Sequence, residues 1–169
     1  TRTNNMDQEQ KKYARDTSEI ISWTVKDPSK ITLLEVVKNV KASVLIGVST
    51  QSGAFTEEII KTMARHSDRP VILPLSNPTV KSEARPEDVI KWTKGKAIVA
   101  TGSPFPVVDY EGKLYPIAQC NNVCIFPGLG LGVISSKSTK VTKKMFVTAA
   151  KTLSDHSPML TDPAATLLP

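Results

Sequence analysis

The sequence is 169 residues long, a length that fits one domain with a buried core, and 40% of its residues are hydrophobic. No apolar run approaches the ~20 residues a transmembrane helix needs, and the polar start, TRTNNMDQEQKKYARD, lacks the apolar stretch of a signal peptide. The net charge of +6 comes from scattered lysines, and the one dense patch, KSTKVTKK (137–144), has no aromatic residue for base stacking, which argues against nucleic-acid binding.

The first 30 residues form a polar segment and predict a short helix over DQEQKKYARD. Thr1 is not an initiator methionine, so the chain reads as processed or as part of something longer. After Pro28 the pattern becomes periodic. Thr32 and Glu35 make a capping box ahead of Leu33, Leu34, Val36, Val37 and Val40 on one helical face. SVLIGV (43–48) predicts a strand, and FTEEIIKTMARH (55–66) a helix with Glu57 and Glu58 in its first turn, where the helix dipole favours carboxylates. PVILPL (70–75) is a second strand. Pro86 then opens a helix through EDVIKW that Gly95 closes, and AIVAT (97–101) is a third strand. Short apolar runs between amphipathic helices predict an α/β fold, with parallel strands covered on both faces. VVDYEGKLYPI predicts a hairpin turning at Glu111-Gly112. A last helix spans about 142–155, with Met145, Phe146, Ala149, Ala150 and Leu153 facing inward. The whole chain, 1–169, reads as one domain.

In an open parallel sheet, ligands bind outside the carboxyl ends of the strands. The loops there read Gly47-Val48-Ser49-Thr50-Gln51-Ser52-Gly53, Ser76-Asn77-Pro78-Thr79 and Thr101-Gly102-Ser103-Pro104. All are small and polar, so a ligand can approach the backbone and meet neutral hydrogen-bonding groups. Any one of them is also an ordinary turn. Three at one edge point to a binding edge. Asn77 precedes Pro78, which favours extended backbone there. Its amide either enters the crevice or closes an Asx turn on its own backbone, and these two readings stay open.

The segment AQCNNVCIFPGLGLG (118–132) has glycines on alternate positions, but no G-x-G-x-x-G starts from Gly128 or Gly130, and no clear strand feeds it. Tight packing or turning is the expectation for Gly128, Gly130 and Gly132. Cys120 and Cys124 lack a zinc-like spacing and read as buried reduced thiols in an intracellular, cytoplasmic compartment. His66 and His156 read as helix-terminus charges, and no acidic or histidine cluster has metal spacing.

Four stretches, VLIGVSTQSGAFTEEII, RPVILPLSNPT, AIVATGSPF and IAQCNNVCIFPGLGLGVI, together resemble the malic enzymes. They look closest to the bacterial NAD-dependent branch, which oxidatively decarboxylates malate to pyruvate. The likeness runs from about Lys11 to the closing LLP and is to the C-terminal part of the cofactor-binding domain. It implies a partial Rossmann-like, doubly wound parallel sheet with flanking helices and a C-terminal helix. It implies NAD rather than NADP as cofactor, with Gly47, Val48 and Ser49 touching its adenosine half. Asn77 would contact malate and the nicotinamide side, and Asn121 with Asn122 would bind substrate and cofactor through neutral amides.

The family's tyrosine acid, lysine base, Mn²⁺ or Mg²⁺ ligands and dinucleotide fingerprint have no counterpart in these motifs. No catalytic residue and no metal ligand is therefore assigned within this chain. The resemblance implies a piece of an oxidoreductase that is inactive alone, acting in a homo-oligomer or with a missing N-terminal portion. The rival reading is a non-catalytic nucleotide-binding or subunit-interaction module. Thr50 stands where the family often has glycine, and SSKSTKVTKKMF carries lysines where relatives often have acidic residues.

Overall fold

The computed structural model describes residues 6–169; of the polar N-terminal segment, residues 1–5 lie outside the described residues. The chain divides into two compact units between Lys41 and Ala42.

The first unit contains α1 (Gln8–Lys11), shorter than the ten residues expected, and α2 (Leu33–Val40). Thr32 caps α2 as its sequence predicts. The Thr32 hydroxyl accepts from the Glu35 amide at 3.3 Å, and the Glu35 carboxylate accepts from the Thr32 amide at 2.8 Å. Glu35 also accepts from the Lys26 amide, and these hydrogen bonds, Lys26's first, hold its carboxyl down at about 2. Asn39 exchanges two hydrogen bonds with the Thr24 backbone, fixing the extended approach to the helix. Val37 is the buried side chain of α2.

The second unit is built on a parallel sheet of four strands in the order β1-β2-β3-β6, with Ala118–Gln119 as β6. β1 (Val44–Gly47), β2 (Val71–Pro74) and β3 (Ile98–Thr101) are the three expected strands, each trimmed by one or two residues. Val44 to Gly47 lie opposite Val71 to Pro74, and Val71 and Ile72 opposite Ile98 and Val99. The strands are linked by α3 (Glu57–His66) and α4 (Pro86–Trp92), which pack on each other. Thr56 caps α3, Glu57 and Glu58 occupy its first turn, and Pro86 takes the first position of α4. Ile59, Ile60, Met63, Val89 and Ile90 from these helices join Leu45, Ile72 and Val99 in the core. The hairpin of β4 (Val108–Tyr110) and β5 (Lys113–Tyr115) turns at Glu111 and Gly112, both at positive φ, as expected.

Several expectations need correction. A strand does feed the glycine-bearing segment: β6 (Ala118–Gln119) pairs with β3 through Ala100–Ala118 and Thr101–Gln119. Gly128, Gly130 and Gly132 neither pack tightly nor turn the chain. They lie in α5 (Phe126–Ser135), and a Cβ at any of them would meet open space. In α6 (Lys143–Asp155), Met145, Ala149 and Leu153 are half-buried, while Phe146 and Ala150 are exposed. Pairs three and four residues apart explain the split: 145, 149 and 153 share one stripe, which faces α5 across a groove of ≈ 780 Å³. β1 is covered on one face only, since Leu45 is buried while Val44 and Ile46 are 48% and 57% exposed. Cys120 and Cys124 are free and half-buried rather than buried; burial pushes the Cys120 thiol up, with Cys124 adding to it. Among the described residues no helix is long and apolar enough to cross a membrane.

Candidate functional site

Because the sheet is parallel, the loops after β1, β2, β3 and β6 emerge side by side at one edge. Hydrogen bonds carry the ladder past the strand ends: Leu75 N donates to Gly47 O at 2.8 Å, Gly102 N to Pro74 O at 3.3 Å and Cys120 N to Thr101 O at 2.8 Å. The four loops therefore hold a fixed lateral register.

The loop after β1 brings Gly47, Val48 and Ser49 to this edge. Gly47 is buried, and a Cβ there would come within 2.6 Å of Glu83 Cδ and 2.7 Å of Phe55 Cζ. Glycine is needed because two side chains pass against the backbone, not because a turn requires it. Val48 is 74% exposed at the edge. Ser49 is exposed overall but bonds to a buried group: its amide donates to Glu83 Oε1 at 2.7 Å and its hydroxyl to the same oxygen at 2.9 Å. The Ser49 hydroxyl also accepts from Gln51 N at 3.2 Å. The amide and the hydroxyl of Ser49 are thus both engaged within the protein.

Thr50 follows at φ 57°, a left-handed conformation that a β-branched side chain resists. Its amide donates to Ser76 Oγ at 2.8 Å, which holds it there. Relief of that strain by Thr50→Gly, partly offset by glycine's larger loss of chain entropy, is expected to raise stability by about 1 kcal/mol. Urea unfolding of the two chains measures it, and a destabilised glycine variant would contradict the strain.

The loop after β2 begins at Ser76, which is buried, and continues to Asn77, which is exposed and joined to Pro78 by a cis peptide bond. The Asn77 amide does not close an Asx turn. Its Oδ1 accepts from the Ser103 hydroxyl, and its Nδ2 donates to Leu75 O at 3.4 Å, so it bridges the loops after β2 and β3. Gly102 makes that approach possible: a Cβ there would overlap the Leu75 carbonyl oxygen and lie 2.6 Å from its carbon.

The Gly102 carbonyl is in turn a shared acceptor. Gln119 Nε2 donates to it at 3.2 Å and Asn121 Nδ2 at 3.3 Å. Asn121 Oδ1 accepts from Val123 N at 3.1 Å and caps the 3₁₀ turn Asn122–Cys124. Asn122 is exposed and takes part in none of these contacts. Hydrogen bonds thus join the loops in three groups, Ser49–Glu83–Ser76, Asn77–Ser103 and Gly102 with Gln119 and Asn121, and successive groups are connected through neighbouring residues of the chain.

Glu83 and Gln119 are not among the residues the sequence points to at this site. Glu83 is fully buried, in the segment leading to α4. Burial alone would raise its pKa, but hydrogen bonds from Ser76 and then Ser49 outweigh that and hold it below the ordinary glutamate value. The nearest sequence signal for Gln119 is the short apolar run Ile117-Ala118 before it, too brief to mark a strand.

The donor set suits a dinucleotide: neutral amides and hydroxyls, glycine backbone, and an exposed valine at the first loop. Among the described residues no group of three or more His, Cys, Asp or Glu side chains could hold a metal ion. The residues here therefore do not fit the divalent ion that the resemblance implies, and it enters no step below.

Comparison with known proteins shows the family of the chain. A family profile described as "Malic enzyme, NAD binding domain" matches residues 1–169. The chain is 54% identical over 160 residues to an NAD-dependent malic enzyme of Proteus mirabilis and 53% identical over 160 residues to one of Acinetobacter baylyi. Each match covers 95% of this chain and 28% of the relative. The chain therefore spans little more than a quarter of the length of these relatives, and within that span it belongs to the malic enzyme family, in its NAD-binding domain.

Proposed function

We propose that this chain supplies the part of an NAD-dependent malic enzyme that holds the dinucleotide and orients malate against it. The observation that supports this reading is the continuous edge of neutral amides and hydroxyls laid across four parallel strand ends. When bound, NAD supplies the hydride acceptor for oxidation of the malate hydroxyl carbon.

This chain's own residues bind and orient. Gly47 and Val48 present backbone and an apolar surface to the adenosine half, and Ser49 sets the shape of that loop from within. Asn77, already turned toward Ser103, faces the nicotinamide side and malate. Asn121 is held by Gly102 and Val123, and Asn122 offers its amide to the ligands. Neutral amides fix both partners in a near-attack geometry without adding charge beside the reacting carbon.

The proton-transfer groups and metal ligands of the reaction would come from the part of the relatives' length that this chain does not span. Alone, the chain is expected to bind NADH without turning over malate. Titration of NADH, followed by thermal unfolding, should raise the melting temperature with concentration. No shift at millimolar NADH would sink the binding reading. Full malic-enzyme turnover, with malate, NAD and Mn²⁺ added, would sink the division of labour. Cytoplasmic location and homo-oligomeric assembly belong to the same proposal.

A further inference from the structure

Glu83 has no assigned role, yet its surroundings are unusual. A carboxylate stays fully buried only when its charge is met by donors on every side. Here Oε1 accepts from the Ser49 amide, the Ser49 hydroxyl and the Ser76 hydroxyl, and Oε2 accepts from the Ser76 amide at 3.3 Å. The donors come from two loops that follow two different strands. Each serine gives both its backbone and its side-chain hydrogen to the same group.

The backbone around Glu83 is stitched to the first loop as well. Phe55 N donates to Glu83 O at 3.0 Å, and Gly53 N to Ser82 O at 3.4 Å. Gly47, at the end of β1, leaves the space that the Glu83 side chain fills. A residue serving only the core would have an apolar neighbour shell and would not draw in polar groups from the ligand-facing edge.

We infer that Glu83 is the positioning residue of this edge, a buried carboxylate that fixes the loops after β1 and β2 at the spacing a dinucleotide requires. The inference rests on the nucleotide-binding reading given above. Glu83 does not touch the ligand. It acts by holding the amides and hydroxyls of Ser49 and the buried Ser76, while Val48 and Asn77 stand exposed beside them.

The test compares the wild-type chain with Glu83→Gln, which keeps the side-chain volume but sets an N–H against one of the donors. Met63→Ala, a core variant in α3, serves as a control that lowers stability away from the edge. NADH affinity is measured by fluorescence at a temperature where all three are folded, and amide hydrogen exchange is followed in the ligand-free chains. Glu83→Gln should weaken NADH about tenfold or more. It should also speed exchange at Ser49–Gln51 and Ser76–Asn77 while β2 and β3 stay protected. Met63→Ala should lower the melting temperature yet keep NADH affinity within about twofold.

Equal affinity and equal exchange in Glu83→Gln and wild type would overturn the inference. So would a Met63→Ala chain that loses NADH as Glu83→Gln does, because the effect would then be general destabilisation. If the wild-type chain binds no NADH, the nucleotide reading fails, and with it the positioning role, whatever the exchange shows. If Glu83→Gln does not fold, Ser49→Ala takes its place. That variant removes the hydroxyl that donates to Glu83 and accepts from Gln51 N, so exchange is read at Ser76 rather than at Gln51: weaker NADH binding with faster exchange there supports the inference, and no change in either overturns it.

Discussion

Gly102→Ala is expected to destabilise the protein by about 3 kcal/mol or more, above the usual range for overpacking. The added methyl would overlap the Leu75 carbonyl oxygen, which is backbone just past the end of β2 and cannot rotate away as a side chain would. Relief requires β2 and β3 to separate at their ends. That would strain the Gly102 N–Pro74 O bond and the Asn77–Ser103 bond together. Denaturant unfolding measures the loss. NADH titration of whatever fraction folds should show binding abolished, because Asn77, Gln119 and Asn121 all depend on the position of this loop. An alanine variant with wild-type stability would mean that the loops are not packed as described.

Glu83→Ala is expected to cost about 3–5 kcal/mol, because it leaves the Ser49 and Ser76 donors without an acceptor, at roughly 1–3 kcal/mol each and less than additively. The same carboxylate makes the wild type acid-sensitive. Its pKa in the folded protein lies below the ordinary value of 4.5, so folding favours the ionised form. That stabilisation is fully present above the unfolded pKa and is lost as pH falls through the folded one. Glu35, held at about 2, acts in the same direction from an exposed position. The melting temperature should therefore stay level from neutral pH to about 5 and fall below about 4.5. In Glu83→Ala the fall should be shallower. An identical acid limb in both chains would remove Glu83 from the explanation.

The sheet and its helices are legible in the sequence because their signals are local. α3 and α4 show their caps and apolar faces within single turns, and β1 to β3 are continuous apolar runs flanked by those helices. β6 escapes such a reading because two residues cannot display a strand period; its identity comes from pairing with β3. α5 is hidden by three glycines, which lower helix propensity enough to suggest a loop. Phe146, a large apolar residue, reads as inward-facing, yet it lies off the stripe that meets α5.

At the edge, Asn77 and Asn121 stand out from their motifs, and each hydrogen-bonds to the loop after β3, which lies between them. How those loops are joined cannot be read from sequence. Ser49 looks like a ligand contact, but its amide and hydroxyl both donate to Glu83, a residue 34 positions away in sequence. No spacing rule links those two positions. Only the parallel crossover through α3 and β2 brings them together.

The glycine at the end of β1 also constrains how this edge can change by substitution. A methyl at position 47 would meet both Glu83 and Phe55, so positions 47, 55 and 83 cannot vary independently. Their single-substitution effects will not sum, and a combined variant can be milder than its worst component. Transplanting this loop into another nucleotide-binding scaffold would therefore mean moving all three residues as one block, although they lie far apart along the chain.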